Sequence, residues 1–314
     1  MRIPGAWPLV IMYHGIVPRV RERQNIDLGV VYQDDFERHL KELKRRFDVV
    51  HPEEYADLLE RGRAPSPRSA LITLDDGFQN LLDYALPVAE VLQTPLLAFV
   101  CSGHLDGGSW LWFARTVAAQ WTHNDTPSDL LKRFRRMALK EIMEELENPG
   151  IGEQRGDREL GRLLFDGASS THLAQACARG YLVLGGHTVN HPNMPRESAE
   201  RCRQEIIDNK RRLEEIASRP VRLFAYPSGD ADDRVASQVR EAGYSGAFTI
   251  LPPRRSIPPD LRRFYLPRIG IYNAGQVTFR LKCAGVDTLR WKLGLLNGDM
   301  RMSMAYPGRR RERA

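Results

Sequence analysis

The sequence predicts an α/β fold built on parallel strands, and three observations support this prediction. Short apolar runs have the length and composition of buried strands. Amphipathic segments with a helical period separate these runs, and such alternation is typical of parallel α/β architectures. Polar residues directly follow several of the runs. Because ligands in such folds bind beyond the carboxyl ends of the strands, a functional site is expected there.

Each predicted strand is an apolar run that ends in a polar residue or a turn. The runs span residues 8–14, 48–51, 69–76, 95–103, 181–187, 221–229, 245–251 and 264–272. The first predicted helix, 34–47, carries Phe36, Leu40 and Leu43 at helical spacing after an Asp start signal. The other predicted helices span 53–62, 80–93 with an interruption or new start around Pro87, 198–218 and 234–244.

Residues 107–175 break this alternation and predict a helical insertion. The insertion begins with an aromatic-rich stretch, and one strong amphipathic helix is predicted over 127–150. Its expected role is packing, with coverage of the functional site as the alternative. Beyond Asn273 the pattern predicts short helices. The organisation is therefore one main domain over 1–290 followed by a basic tail over 291–314.

Composition excludes several classes of protein. The chain has 314 residues, of which 42% are hydrophobic and 27% charged, as in an ordinary globular protein. The net charge is +6, and the last six residues alone contain four arginines. Because the basic residues form no patch interleaved with aromatic residues, nucleic-acid binding is not expected. The four cysteines form no CxxC pair, so a structural zinc knuckle is not expected.

The chain shows no membrane or export signal. No apolar stretch approaches the roughly 18 residues that a membrane span needs. The short apolar stretch near the N terminus contains Pro8 and His14 and has no small-residue cleavage site. We therefore expect a cytoplasmic location. The basic C terminus adds the expectation of peripheral contact with anionic lipid headgroups.

The stretch LITLDDGFQN, residues 71–80, places two carboxylates at the end of a predicted strand. Asp75 and Asp76 would repel each other, and a bound cation would remove that cost. One carboxylate could bind a metal while the other acts as a general base on a water molecule. A helix cap or Asx-turn before Gly77 is the alternative, but it accounts for only one of the two.

A second polar motif, HTVNHP, follows the predicted strand 181–187. His187 and His191 are four residues apart, and one helical turn would point both imidazoles the same way. Two imidazoles and one carboxylate are a common ligand set for zinc or a similar metal. The alternative is a pair of surface or capping histidines.

Together, TLDDG (73–77) and HTVNHP (187–192) resemble the first two motifs of the polysaccharide deacetylase family, the NodB-homology carbohydrate esterases. The resemblance covers about residues 8–275. It implies an irregular (β/α)7-type barrel and metal-dependent hydrolysis of an N-acetyl or O-acetyl group on a sugar. It also implies that Asp75 is the catalytic base and that Asp76, His187 and His191 bind a divalent metal. Zinc is the expected ion, with cobalt, nickel and iron as alternatives.

The third motif of the family departs from its usual form here. The segment FAYPSG (224–229) occupies its place and implies that the backbone N–H of Ser228 faces the oxyanion. Ala225 stands where many members carry an arginine that orients the base. Arg268 could substitute for that arginine, or it could be an ordinary residue at a strand end.

The late histidine that serves the family as general acid is absent, since no histidine follows His191. A circularly permuted subgroup, which includes poly-N-acetylglucosamine deacetylases, opens with a strand similar to VIMYHGI (10–16). This resemblance implies that His14 is the general acid. The alternative is a histidine that only bonds the backbone at a strand end.

Two aromatic residues, Tyr226 and Trp110, are candidate sugar contacts. Trp110 clusters in sequence with Trp112, Phe113 and Trp121, for which packing of the insertion is the favoured role. The expected substrate is an N-acetylated sugar or glycan: nucleotide-linked, lipid-linked or a small glycoside. Two alternatives are hydrolysis of another C–N bond, as in cyclic amides, and a catalytically silent carbohydrate-binding relative.

Overall fold

The computed structural model describes residues 8–19, 29–120, 128–148, 158–251, 255–272 and 274–293. Its centre is a sheet of parallel strands that curves into a nearly closed barrel, as predicted. The strands are β1 Leu9–Tyr13, β2 Ile16–Val17, β3 Val31–Tyr32, β4 Asp48–Val49, β5 Ser69–Leu74, β6 Leu96–Val100, β7 Leu182–Gly186, β8 Leu223–Ala225, β9 Gly246–Thr249, β10 Leu266–Pro267 and β11 Ile269–Gly270.

The barrel contains seven strand positions, of which the last is split. The order is β10-β9-β8-β7-β6-β5-β1-β11; β4 adds to β5 outside this path, and β2 pairs with β3 separately. β10 pairs with β9, whereas β11 pairs with β1 on the other side of the opening. The two short strands are separated by Arg268 alone, so the segment 266–270 joins the first and last positions of the barrel.

The prediction of a single strand over 264–272 is therefore wrong. Residues Pro259–Phe264 form a 3₁₀-helix, and the strand that follows is divided at Arg268. Arg268 donates its N–H to the carbonyl of Thr249, and Ile271 donates to Met12. The chain changes its hydrogen-bonding neighbour within a few residues, because it must close the barrel.

Helices surround the barrel. They are α1 Gln33–Arg46, α2 Pro52–Glu60, α3 Leu86–Val91, α4 Trp112–Gln120, α5 Ser128–Phe134, α6 Leu139–Leu146, α7 Arg158–Phe165, α8 Ser170–Ala178, α9 Ala199–Ala217, α10 Asp233–Glu241, α11 Gln276–Cys283 and α12 Val286–Lys292. The predicted interruption near Pro87 is confirmed: a π-helical turn, Leu81–Ala85, precedes α3. Proline lacks the N–H that would continue a regular helix. α12 runs across the domain boundary expected at residue 290, and most of the predicted tail lies outside the described residues.

Side chains alternate along the strands between two apolar layers. One set fills the inside of the barrel, and the other packs beneath the surrounding helices. Inside, Val10 of β1 lies beside Leu71 of β5, and Phe99 and Phe248 pack against each other with ring centroids 5.5 Å apart. This apolar filling means that charged groups can lie only at the ends of the barrel, where the site forms.

The insertion has a separate apolar core made by α4 to α7 together with β2, Val30 and Phe78. The helix predicted over 127–150 is wrong as a single element, because α5 ends at Phe134 and α6 starts at Leu139. The predicted end of the insertion at residue 175 falls within α8, which packs on α9 and β7.

Candidate active site

The two adjacent aspartates follow β5 at the carboxyl end of the barrel. The Asp75 N–H still donates to the carbonyl of Tyr13, which continues the pairing with β1. Asp76 and Gly77 then adopt left-handed backbone angles, with φ of 72° and 84°. A Cβ at Gly77 would lie 2.6 Å from Val100, so a glycine is needed both for the turn and for the space. This turn sends the two carboxylates in different directions.

The Asp75 carboxylate forms a buried ion pair with Arg268. Two guanidinium N–H groups donate to its two oxygens over 2.6 Å and 2.7 Å. The same guanidinium donates to the hydroxyl of Thr73 over 3.2 Å and lies 5.2 Å from the ring centroid of Phe99. Arg268 thus contacts the predicted base, as expected if it takes the place of the missing arginine. The two-pronged contact fixes the orientation of the carboxylate.

The Asp76 carboxylate faces the two histidines of the second motif. Its Oδ1 lies 3.5 Å from Nε2 of His187 and 3.7 Å from Nε2 of His191. These three buried residues each offer one ligand atom, and the atoms all lie within 4.8 Å of one another. The predicted ligand set is therefore assembled in three dimensions.

The protonation states of these groups fit a divalent cation. His187 Nδ1 lies 2.7 Å from the carbonyl of Ala225, which can only accept, so Nδ1 carries a hydrogen and Nε2 is the nitrogen that faces Asp76. Oδ1 of Asp76 is buried without a hydrogen-bond partner among the described residues. A buried carboxylate oxygen without a donor, facing two imidazole nitrogens, is the arrangement that a bound cation would satisfy.

The electrostatic environment also favours the protonation states that a divalent cation requires. Burial alone would raise the pKa of Asp75, but the Arg268 guanidinium outweighs burial and holds this pKa below its usual range. Burial would also raise the pKa of Asp76, but the nearby imidazoles of His187, His14 and His191 outweigh it, and the pKa is lowered. Burial lowers the pKa of His191 to about 3. Near neutral pH both carboxylates are therefore ionised and His191 is neutral, as metal ligation requires.

The local conformation of the second motif differs from the prediction. Residues 187–191 form a loop rather than a helical turn, and Thr188 and His191 have φ of 67° and 55°. The two imidazoles still converge, with ring centroids 5.0 Å apart. The His191 N–H donates to the Thr188 hydroxyl over 3.0 Å, which holds the loop in this shape.

Sequence reasoning missed two residues of α9 that hold this loop. The buried Asn209 accepts a hydrogen bond from the His187 N–H and donates to the carbonyls of Thr188 and Val100. The buried Glu205 accepts from the N–H groups of Val189 and Asn190. A signal was present in the sequence, because both polar residues fall on the inward stripe of α9 among apolar ones. That stripe contains Cys202, Ile206, Leu213 and Ile216.

His14 directly follows β1 and lines the same cavity as the metal-ligand candidates. Its Nδ1 is buried and has no hydrogen-bond partner among the described residues. Its ring lies 5.7 Å from that of Tyr272, a second lining residue. Because Nδ1 makes no bond to the backbone, the alternative of a histidine that only bonds backbone at a strand end has no support from this nitrogen.

Ser228 lies on the opposite side of the cavity, in the turn after β8. Ser228 and Gly229 have φ of 57° and 70°. The turn is closed by hydrogen bonds from Gly229 to Tyr226 and from Asp230 to Pro227, in which the Ser228 N–H takes no part. Ser228 and Gly229 both line the cavity.

The insertion forms one wall of this cavity, which opens to solvent. The Trp112 indole N–H donates to the carbonyl of His191 over 2.7 Å, and the Phe113 ring lies 4.9 Å from the His191 ring. The insertion therefore covers the site and contacts His191, a predicted metal ligand. Coverage of the site was the alternative to a role in packing alone. Its lining residues are Trp112, Phe113, Arg135, Leu164 and Phe165.

The two predicted sugar contacts lie elsewhere. Tyr226 is fully buried, and its hydroxyl donates to the carbonyl of Phe264, because alternation along the strand turns its ring outward under the helices. The Trp110 indole donates to Asp166 over 2.7 Å, and its ring packs on Phe165. Neither is among the described residues that line the cavity. Trp121 lies outside the described residues.

Comparisons with known proteins agree with this geometry. The family model for polysaccharide deacetylases matches residues 62–247, more than half of the chain. A peptidoglycan-N-acetylglucosamine deacetylase from Bacillus cereus is 36% identical over 61 residues, which are 19% of this chain and 28% of that protein. The chain thus matches little more than a quarter of the length of this curated relative.

Solved structures show the same fold. The structure of the Streptococcus pyogenes deacetylase PplD in complex with acetate matches with a TM-score of 0.59 at 17% identity. The match covers 90% of this chain and 99% of the PplD chain. IcaB from Ammonifex degensii has a TM-score of 0.59 at 19% identity, with coverage of 90% and 98%. At these identities the likeness concerns the fold. Within the described part of the chain, no helix is both long and apolar enough to cross a bilayer.

Proposed function

The chain belongs to the polysaccharide deacetylase family, and from this premise we propose that it is a metal-dependent hydrolase that removes an N-acetyl group from a sugar or glycan. The observation that carries the proposal is the division between the two adjacent carboxylates. Asp75 is held by Arg268, while Asp76 faces His187 and His191. One carboxylate is thereby kept for proton transfer and the other for a cation.

Asp76, His187 and His191 would hold the metal, expected to be zinc. A divalent cation supplies a Lewis acid for the acetyl carbonyl and makes a nearby water more acidic. Asp76 and His187 lie within two residues of the ends of β5 and β7, and His191 lies in the loop that the Thr188 hydroxyl and Glu205 hold, which favours a preorganised site. The metal's natural identity among zinc, cobalt, nickel and iron is a matter for metal analysis of the purified protein.

The other side chains would handle protons and developing charge. Asp75, ionised and oriented by Arg268, would accept the proton of the attacking water. His14, on the same cavity, would donate a proton to the leaving nitrogen as the amide bond breaks. The Ser228 N–H would donate a hydrogen bond to the negative oxygen of the tetrahedral intermediate. These roles need one general base, one general acid and one oxyanion donor around a single point.

The proposal is tested by measuring acetate release from N-acetylglucosamine oligomers with zinc, cobalt or nickel added. Asp75→Asn should abolish acetate release while the metal content stays stoichiometric, because Asp75 is not among the ligands. His187→Ala should lose both the metal and the activity. Asp83→Asn, an exposed carboxylate of the same segment, is the matched control and should behave like the wild type.

Three results would contradict the proposal. If the Asp75→Asn variant still releases acetate, Asp75 is not the general base. If a His187→Ala/His191→Ala variant keeps its full metal content, the proposed metal ligands are wrong. Release of ammonia or ring-opened product from cyclic amides, with no acetate from any acetylated sugar, would assign the site to a different C–N bond.

A further inference from the structure

The insertion places a charged side chain, that of Arg135, on the wall of the cavity. The other residues with which the insertion lines the cavity are apolar or aromatic, namely Trp112, Phe113, Leu164 and Phe165. Arg135 is partly exposed, so its guanidinium is accessible from the cavity. A charge beside an apolar wall acts more strongly on a ligand than it would in open water, because the wall concentrates its field.

The backbone at Arg135 is fixed relative to a proposed metal ligand. Arg135 lies between α5 and α6, where the chain leaves the helix. The buried Asn193, two residues after His191, donates to the carbonyls of Phe134 and Met137 over 2.8 Å each, on the two sides of Arg135. Burial is the main reason that the pKa of His191 is lowered to about 3, and the charge of Arg135 acts in the same direction. The guanidinium is therefore held near the metal-ligand candidates.

The charges around the cavity are unbalanced once a divalent cation is bound. Its charged lining residues are two aspartates and two arginines. Asp75 and Arg268 form an ion pair, so their charges cancel. Asp76 offsets one of the two charges of the cation, and Arg135 adds a further positive charge. Such a cavity attracts anions, whereas a neutral sugar gains nothing from this charge.

We propose that the sugar substrate carries an anionic oxygen group, a phosphate or a carboxylate, and that Arg135 selects it. This inference rests on the proposed function and names the substrate class of the same site. A planar guanidinium donates two parallel N–H groups to two oxygens of one phosphate or carboxylate. The acetamido group would face His191 and the other ligands, and the anionic group would face the wall formed by the insertion.

The first test measures binding with probes that contain no acetyl group and therefore cannot be deacetylated. Calorimetry on the zinc-loaded protein compares glucose with glucose 1-phosphate, glucose 6-phosphate and glucuronate, which separates two phosphate positions from a carboxylate. We expect one of the charged probes to bind at least about tenfold more tightly than glucose, the gain from one hydrogen bond to a charged group. Arg135→Gln should remove this preference, and Arg135→Lys should restore part of it.

The second test measures acetate release from N-acetylglucosamine, its 1-phosphate, its 6-phosphate and N-acetylmuramic acid. Arg135→Gln should lower kcat/KM for the preferred charged sugar about tenfold more than for N-acetylglucosamine. The matched control is Arg136→Gln, because Arg136 is the exposed neighbour and does not line the cavity. It should keep the wild-type preference in both tests.

The proposal is overturned if no charged probe is preferred, or if Arg135→Gln weakens glucose and the charged probes equally. It is also overturned if Arg135→Gln keeps the preference, since the anion would then bind the metal and not the arginine. Anion binding that depends on Arg135, without acetate release from any acetylated sugar, would support the anion site and contradict the proposed function. Acetate release that is indifferent to the anionic group would do the reverse.

Discussion

Asp75 and Asp76 are neighbours in sequence, yet their carboxylates have entirely different partners. The left-handed turn at Asp76 and Gly77 directs Asp75 toward Arg268 and Asp76 toward the histidines. Arg268 contacts Asp75 rather than the cavity's reacting centre, so its expected role is to position the base. A two-pronged guanidinium contact restricts the carboxylate far more than a single ammonium contact would.

Arg268→Lys should therefore impair catalysis without removing the metal. The ammonium group keeps a positive charge beside Asp75 but cannot donate to both oxygens in the same plane. We expect kcat to fall about 100-fold with the metal affinity unchanged, because a small misplacement of a reacting group costs about that factor. The measurements are steady-state kinetics on an acetylated sugar and zinc titration of the metal-free protein.

Arg262→Lys provides the control, since Arg262 is exposed and six residues away. It should leave kcat as it is. A kcat close to the wild-type value in Arg268→Lys would show that the two-pronged contact has no part in positioning Asp75. A loss of zinc affinity equal to the loss of kcat would instead indicate a general disturbance of the site.

Among individual residues, the sequence predicts the candidate reacting groups better than the residues that position them. Motif spacing is local, so Asp75, Asp76, His187 and His191 could be identified from short stretches. The contact between Asp75 and Arg268 joins residues that are 193 positions apart and depends on how the last strand closes the barrel. Tyr226 was misplaced because the direction of a side chain depends on strand register, which the short motif does not contain.

Among the helices, α9 has the most direct effect on the site. Asn209 uses its whole carboxamide to connect the loop after β7 with the end of β6. These hydrogen bonds give three buried backbone groups a partner and fix the position of the His187 backbone. The loop itself contains two left-handed residues, so its conformation depends on these contacts more than on local preference.

Asn209→Leu, which keeps the volume and removes the hydrogen bonds, should lower both stability and metal affinity. The His187 N–H and the Val100 carbonyl would lose the bonds to Asn209, and the Thr188 carbonyl would keep only its weaker bond from the Ser102 N–H, so the free energy of unfolding should fall by about 3 kcal/mol. Zinc should bind about 10-fold to 100-fold more weakly, as is typical when support for a metal ligand is lost. Urea denaturation of the metal-free protein and chelator competition measure the two effects.

Asp208→Asn, on the outer side of the same helix turn, serves as the control and should change the unfolding free energy by less than about 0.5 kcal/mol. Unchanged zinc affinity in a folded Asn209→Leu protein would mean that α9 does not set the position of His187.

Element boundaries were predictable where a local signal marks them. Pro87 interrupts its helix as expected, and most barrel strands and helices lie where the hydrophobic pattern puts them. The break between α5 and α6 was not predictable, because no proline or glycine lies between Phe134 and Leu139. There the chain leaves the helix so that Arg135 can line the cavity and Asn193 can donate to the carbonyls of Phe134 and Met137.

In the whole molecule, the helical shell contains a buried ionisable group that does not line the cavity of the proposed active site. His39 of α1 is fully buried, with its ring stacked on Phe279 of α11 and its Nδ1 3.3 Å from the Tyr13 hydroxyl of β1. Burial lowers the pKa of His39 to about 4, although the charge of Asp35 acts in the opposite direction. The folded protein therefore keeps this imidazole neutral at pH values where an unfolded chain would protonate it.

This histidine should make the free energy of unfolding depend on pH between about 6.5 and about 4. In that window the unfolded state binds a proton at His39 that the folded state excludes, so stability falls as the pH falls, by up to about 1.4 kcal/mol per pH unit. Urea denaturation at several pH values should show a correspondingly shallower dependence for His39→Gln. His172→Gln, on the exposed face of α8, is the comparison. If His39→Gln keeps the full wild-type slope, the pH dependence arises from other buried groups and α11 does not enclose a neutral imidazole.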